Sequence, residues 1–308
     1  CRYGTGKPPK FLGIAIAENR SIAINDACNI CTSEQVSKGN PMKMETLPTQ
    51  SQSAEQAELV TFAERRERLY QRLSERPDHV GMPTRKIAFL STERSGSSFL
   101  CDALDNTGQF GIPDEYFSLK YINSWARLHK IDERDIDLDA YLDFLFRKTT
   151  SANGVFSVKI HAYQHAKLKK QGVEFFDLGF DQVYKITRRN KVSQAFSFAK
   201  ADLTKAWQSG DKPIAKVEVQ FTQICRYLQV LAEYDSYMTA NTDRYCHDTI
   251  VYEDFIGPQQ LEIFNRILVQ NGCATVSAMQ TSLKKQSKPD DEARIAMFSQ
   301  WLGIQSSS

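Results

Sequence analysis

The sequence predicts an α/β fold in three layers, a mostly parallel sheet with helices on both faces and a P-loop-like turn after its first strand. Two observations carry this. Beyond Pro83, short apolar runs of strand length alternate with longer segments of helical spacing, the order that right-handed crossovers turn into a parallel sheet. The first such run, Ile87 to Leu90, ends in Ser-Thr-Glu-Arg-Ser-Gly-Ser-Ser and resumes with helical spacing at Phe99, Leu100 and Leu104. A strand that passes through hydroxyls, one glycine and one arginine into a helix is a usual setting for an anion on a helix N-terminus. In such sheets ligands bind at the carboxyl ends of the strands, where this loop lies.

Residues 1–80 are expected to form an N-terminal extension, partly disordered and with one helix, and residues 81–308 the main domain. The first 52 residues show weak periodicity and many polar side chains. "GTGKPP" lacks the preceding strand and the Gly-Lys-Ser/Thr order of a phosphate loop. Leu59, Phe62, Leu69 and Leu73 fall roughly on one face of a helix over Ala54–Glu75, and Pro77 with Gly81, Met82 and Pro83 marks a linker. Strands are expected at Lys86–Ser91, Val155–Ile160, Gln182–Thr187 and Thr249–Tyr252. Helices are expected at Ser97–Asn106, Leu138–Lys148, Lys191–Trp207, Lys216–Met238, Pro258–Asn271 and Asp290–Trp301.

Composition narrows the partners. The 308 residues, 41% hydrophobic, suffice for a sizeable core. Lys and Arg number 39 against 37 Asp and Glu, which argues against nucleic acid and requires that any anion be held by a few placed cations. Seven scattered cysteines argue for a reducing, cytoplasmic setting rather than a disulfide framework. Cys28 and Cys31 form a lone C-x-x-C with no second pair at zinc-ligand spacing, and no metal site is expected. No apolar run approaches the roughly 18–20 residues of a membrane span. "FLGIAIA" (Phe11 to Ala17) lies at the short limit of a signal-peptide core and lacks a convincing cleavage site.

In the loop, Gly96 lets the backbone approach an anion closely, and the N–H groups of Ser95–Ser98 open the next helix. Ser95, Ser97 and Ser98 add hydroxyls, and Arg94 adds a permanent positive charge. The G-x-x-x-x-G-K-[ST] order is missing, which weighs against a small-molecule kinase. A second strand–helix junction, "VYKITRRNKVSQAFSFAKADLTKAW", places Arg188 and Arg189 before a helix on which Ser193 and Ser197 share a face. Two anion sites on one sheet suit a nucleotide with phosphates at both ends.

Taken together, "RSGSSFL…TGQFGIPDEYF", "GVFSVKI" and "RRNKVSQAFSFAKADLTKAW" resemble the trehalose sulfotransferase-type branch of the PAPS-dependent sulfotransferases, over about Lys86 to Trp301 with "VYEDF" and "KKQSKPDDEA" included. The resemblance implies the sulfotransferase fold and transfer of a sulfuryl group from PAPS to a hydroxyl of a carbohydrate or glycolipid, and it leaves a homodimer open. It implies that Arg94, Ser95, Gly96, Ser97 and Ser98 hold the 5′-phosphosulfate end of PAPS. The 3′-phosphate falls to Ser197 with Arg188 and Arg189, of which Arg188 is preferred. Glu115 of "PDEYF" matches the family's general base, with Asp114 as the neighbouring candidate. Lys159 of "SVKI" and Gln286 of "KKQS" match further motif positions.

There are departures from the family pattern. Ser98 stands where threonine is common, and "KKQS" replaces an arginine-containing version. His161 follows the "VKI" strand where the trehalose enzyme carries other residues, so the acceptor stays open. At a predicted strand end, His161 is itself a candidate base or hydroxyl ligand, ahead of His129 and His165. Trp125, Trp207, Tyr116 and Phe117 could stack on a sugar or adenine, although aromatics at helical spacing usually belong to the core. The rival class is a non-catalytic nucleotide-binding module, which would keep both anion sites without needing Glu115 or Arg94.

Overall fold

The computed structural model describes residues 67–132, 135–207, 211, 213–283 and 289–303. The expectations for residues 1–66, among them the "GTGKPP" segment and Cys28 with Cys31, lie outside the described residues, and so does Gln286.

Four strands, β1 (Arg85–Ser91), β2 (Val155–His161), β3 (Gln182–Thr187) and β4 (Asp248–Val251), form one parallel sheet in the order β2-β1-β3-β4. The helices in chain order are α1 (67–75), α2 (Ser97–Asp105), α3 (Leu119–Leu128), α4 (Leu138–Thr149), α5 (Ala162–Lys170), α6 (Lys191–Thr204), α7 (Phe221–Thr242), α8 (Tyr252–Phe255), α9 (Gln260–Gln270) and α10 (Pro289–Trp301). This is the expected α/β architecture with a parallel sheet.

β1 is one of the two inner strands, and Ile87 to Leu90 are all fully buried. Burial of each such large apolar side chain is worth on the order of 1.5–3 kcal/mol. Successive residues face opposite sides. Ile87 and Phe89 pack with Leu100 and Leu104 of α2 and with Phe264 and Leu268 of α9. Ala88 and Leu90 belong to the cluster on the other face, with Ile122 and Trp125 of α3 and Leu145 of α4. A third cluster joins α6, α7 and α10 around Phe196, Ile224 and Phe298. Helix α1 packs with the core rather than apart from it. Tyr70 and Leu73 are buried in the second cluster, and the Tyr70 hydroxyl lies 2.8 Å from that of Tyr141.

Several boundaries differ from the sequence expectation. Helix α6 stops at Thr204 because Lys205 turns into the left-handed region at φ 56°, leaving Trp207 beyond the helix. Helix α7 starts at Phe221 rather than Lys216: Val219 is buried in the preceding segment, and the Gln223 side chain accepts the Gln220 N–H at 2.8 Å to cap the start. Tyr252 opens α8 rather than closing β4. Helices α3 and α5 were not expected, although Ile122, Trp125 and Ala126 stand at helical spacing and are buried.

Register sets up the site. Ser91, the last residue of β1, lies opposite His161 on β2 and Ile186 on β3, so the three strand ends are level.

Candidate active site

The chain leaves β1 through Thr92–Gly96, and two residues there are left-handed: Arg94 at φ 59° and Gly96 at φ 87°. Glycine at 96 is required twice over. Any other residue is strained at that φ, and a Cβ would stand 2.2 Å from the Tyr252 ring. Gln194 of α6 anchors the loop, donating to Thr92 Oγ1 at 2.9 Å and to the Glu93 carbonyl at 2.7 Å. The first N–H groups of α2 have no intrahelical partner and face outward with the helix dipole. Beside them Ser95 Oγ is buried without a hydrogen-bond partner.

Two arginines converge on this loop. Arg94 reaches α6, where Nε donates to Ser197 Oγ at 3.0 Å and its terminal nitrogen donates to the Trp207 carbonyl at 2.6 Å. Arg188 leaves β3, lies over the Tyr252 ring at 4.7 Å and donates to the Arg94 carbonyl at 3.3 Å. Its Nε is buried without a hydrogen-bond partner, the nearest carboxylate oxygen being on Glu253 at 3.8 Å. Burial pulls both guanidinium groups down from their ordinary pKa, and for Arg94 the neighbouring Arg188 charge adds to it. Arg189 points elsewhere. It is exposed and makes two 2.9 Å bonds to the Asp254 carboxylate. Ser193 lies at the start of α6, where its N–H is taken by the Asn190 side chain at 2.8 Å.

Glu115 completes the cluster from the other side. Gly111, at φ 71°, lies so close to the chain at Thr149 and Val155 that a Cβ would stand 2.7 and 2.8 Å from their carbonyl oxygens. The segment after it runs beside β2, and the Lys159 N–H donates to the Asp114 carbonyl at 3.0 Å. Glu115 Oε1 thus meets Lys159 Nζ at 3.0 Å and His161 Nε2 at 3.2 Å, while Oε2 accepts from Gln164 Nε2 at 2.7 Å. The His161 Nδ1 is 2.9 Å from Ser91 Oγ. Lys159 Nζ also donates to Ser98 Oγ at 2.9 Å, which joins the carboxylate to the first turn of α2.

The charges in this group are strongly coupled. Burial alone would raise the Glu115 carboxyl, but Lys159 and His161 outweigh it and hold the group well below the usual carboxylate range. Lys159 and His161 answer in the opposite sense: burial would lower both, and Glu115 raises both. A carboxylate offers about four lone-pair sites, and three of those on Glu115 are taken. One remains on Oε2 for a further donor. Asp114 is fixed differently, accepting the Glu115 N–H at 2.7 Å and the Tyr121 hydroxyl at 3.1 Å, and burial raises its carboxyl.

The fold therefore gathers Arg94, Ser95, Gly96, Ser97, Ser98, Glu115, Lys159, His161, Arg188 and Ser197 around the strand ends and leaves Arg189 on the outside. His129 packs on Trp125 at 5.1 Å and His165 meets the Tyr237 hydroxyl at 2.8 Å, both in helix packing. Tyr116, Phe117 and Trp125 are buried in the core. Sequence reading passed over Gln164, Gln194, Ser91 and Tyr252. Only Gln164 had a local signal: it stands three residues after the cap position His161, whose N–H it accepts at 2.9 Å. Among the described residues no group of three or more His, Cys, Asp or Glu side chains could hold a metal ion, and no helix is long and apolar enough to cross a membrane.

Two solved structures are similar in outline. The sulfotransferase domain from the curacin biosynthetic pathway is 11% identical, with 71% of this chain and 97% of that one covered and a TM-score of 0.40. The sulfotransferase domain from the Synechococcus PCC 7002 olefin synthase is 13% identical, with 75% and 92% covered and a TM-score of 0.37. No curated protein sequence matches the chain. The family model of the Stf0 sulphotransferases matches residues 87–300, which include every residue of the cluster above and more than half of the sequence. The chain belongs to the Stf0 sulphotransferase family.

Proposed function

We propose that this sulfotransferase takes its sulfuryl group from PAPS and delivers it to a hydroxyl of a carbohydrate or glycolipid, with Glu115 as general base. The observation that carries the reading is the Glu115–Lys159–Ser98 chain of contacts, which ties a carboxylate with one open lone pair to the first turn behind an anion-binding loop.

The residues fit the donor. Ser95 Oγ and Arg188 Nε are buried polar groups in want of a partner, and two guanidinium groups stand side by side. Leaving such groups unpaired costs about 1–3 kcal/mol each, more when charged, and a phosphate would satisfy them. Arg94, Ser95, Gly96, Ser97 and Ser98 would hold the phosphosulfate end, and Arg188 with Ser197 the 3′-phosphate. Arg94 bonds to Ser197, so the two subsites adjoin. Arg189, paired with Asp254 on the surface, is left out of this assignment.

When bound, PAPS supplies an SO₃ group that passes from its 5′-phosphate oxygen to the acceptor oxygen, leaving 3′,5′-ADP. The chain's own groups do the rest. Glu115 Oε2 accepts the acceptor proton as the new S–O bond forms. Lys159 and His161 hold Glu115 ionised and oriented, and Ser91 fixes the His161 ring. Arg94 and the α2 N–H groups meet the charge that develops on the leaving phosphate.

Incubation with ³⁵S-labelled PAPS and a panel of sugars, glycolipids and phenols tests the reading. Glu115→Gln should lower transfer by about 10²–10⁴-fold, the range for general-base assistance, with 3′,5′-ADP affinity nearly unchanged. Near-normal transfer by this variant removes Glu115 from the role of base.

A further inference from the structure

The two oxygens of Glu115 are held in different ways. Two side chains of β2, Lys159 at 3.0 Å and His161 at 3.2 Å, both meet Oε1. Oε2, the oxygen that takes the proton in the reaction proposed above, accepts instead from a neutral group, the Gln164 amide on α5, at 2.7 Å. Asp114, next in the chain, is engaged elsewhere, with the Glu115 N–H and the Tyr121 hydroxyl. Charges at Oε1 keep the carboxyl ionised, but a charge makes a weak directional demand. A hydrogen bond makes a strong one.

The polar groups of this amide are all committed. Its Oε1 accepts the His161 N–H at 2.9 Å, and Nε2 donates to Glu115 and to the Tyr163 hydroxyl oxygen, the latter at 3.0 Å. A main-chain N–H can only donate, so it must face the amide oxygen, and this turns the NH₂ toward Glu115. Gln164 is only 2% exposed, and the Tyr163 ring lies 17° from parallel to His161 with centroids at 6.3 Å, so the group is packed as a unit. Capping the helix does not by itself call for glutamine. A glutamate at this position would accept the His161 N–H equally well. Ionised, it could not donate to Glu115. The amide can do both.

We propose that Gln164 is a positioning residue for the base: its donation to Glu115 Oε2 occupies one lone pair and aims the other at the acceptor hydroxyl. Lys159 and His161 set the charge of the carboxylate, and Gln164 sets its rotation. Misplacing a reacting group by about 1 Å can cost about 10²-fold in rate, so the effect belongs in kcat rather than in binding. This inference rests on Glu115 as general base, proposed above.

The test compares wild type, Gln164→Met, Gln164→Glu and Glu115→Gln in the full chain, with labelled PAPS and with trehalose, glucose and sorbitol as acceptors, beside titrations with 3′,5′-ADP. Gln164→Met loses both functions of the amide. Gln164→Glu keeps an oxygen for the His161 N–H and loses the donor, so it decides the matter if Gln164→Met does not fold. At pH 8 both should lose about 10- to 100-fold in kcat, the range for one hydrogen bond to a charged group, with KM and 3′,5′-ADP affinity much less affected. As the pH is lowered to 6, the facing carboxyl groups of Gln164→Glu come to share one proton, which bridges them as the amide hydrogen does. Its kcat relative to wild type should therefore rise, and that of Gln164→Met should not. The charged groups around the pair, Lys159 and His161 of β2 and Asp114 beside it, are common to all these variants. A kcat within about twofold of wild type in Gln164→Glu at pH 8 overturns the proposal, and so does a ratio that stays flat with pH. A loss of 3′,5′-ADP affinity as large as the loss of kcat overturns it too, leaving Gln164 a cap and no more. Near-normal transfer by Glu115→Gln refutes the base itself, and this inference with it. Transfer by wild type to none of the three acceptors refutes the acceptor reading beneath both.

Discussion

Replacing Lys159 with methionine keeps most of the side-chain volume and removes the ammonium that sits 3.0 Å from Glu115 Oε1 and 2.9 Å from Ser98 Oγ. At that separation, with an effective dielectric of about 20, the gross attraction is about 5 kcal/mol. Desolvation offsets part of it, and His161 remains at 3.2 Å from the same oxygen. The net effect of one close opposite charge on a carboxylate is a lowering of about 1–3 pKa units. In wild type the Glu115 carboxyl is held well below the usual range, so as the proposed base it stays ionised, and the acidic limb of kcat/KM should lie below the ordinary carboxylate pKa. In Lys159→Met the limb should move up toward the ordinary carboxylate range. Stability follows the same sign. A depressed folded-state pKa contributes stability above the unfolded carboxylate pKa, and that contribution is lost as pH falls through the folded value. The variant should therefore be destabilised at neutral pH, by about 3–5 kcal/mol if the orphaned carboxylate stays buried, and the deficit should shrink as the pH falls. Urea melts from pH 4 to pH 8 and a pH–rate profile measure both. An acidic limb that stays in place, or a deficit that grows toward low pH, would refute the reasoning.

Arg188→Ala should weaken 3′,5′-ADP binding about 10- to 100-fold while AMP binding changes far less, whereas Arg189→Ala should leave both nearly unchanged; calorimetric titration of the two variants decides between the adjacent arginines. Equal losses for both nucleotides would show that Arg188 does not read the 3′ position. Gly96→Ala should cost about 1–3 kcal/mol in denaturant melts and lower donor affinity with it, because the new Cβ meets the Tyr252 ring in a strained backbone conformation.

The parts of the fold that were legible are those written locally. The strand cores, the punctuated loop after β1 and the helix that follows it are all fixed by neighbours in sequence, through period and turn chemistry. Glu115 was singled out by the family resemblance, since Gly108, Gly111 and Pro113 mark a turn but leave a surface carboxylate the simpler reading. Its contacts were not readable. Lys159 and His161 alternate along β2 in register with β1, yet they meet Glu115 because the chain after Gly111 lies beside that strand. Nothing in "ITRRNK" separates Arg188 from Arg189. The split is made by α8, where the Tyr252 ring receives one guanidinium and the Asp254 carboxylate the other. Helix α5 escaped notice because its short lysine-rich sequence, AYQHAKLKK, carries a weak apolar stripe.

The order β2-β1-β3-β4 has a consequence during synthesis. Of the four described strands, the one made first ends up inside the sheet, and its partners on either side are made later. Ile87 to Leu90, with no exposed surface in the finished protein, must leave the ribosome before either of their partner strands β2 and β3 exists. The Tyr252 ring that closes over Gly96 comes later still, and at about 5–20 residues per second the wait between the two is roughly 10–30 s. Until β2 and β3 follow, the nascent chain carries β1 unpaired, and the Thr92–Gly96 loop waits longer still for Tyr252, so the demand on chaperones is set by topology.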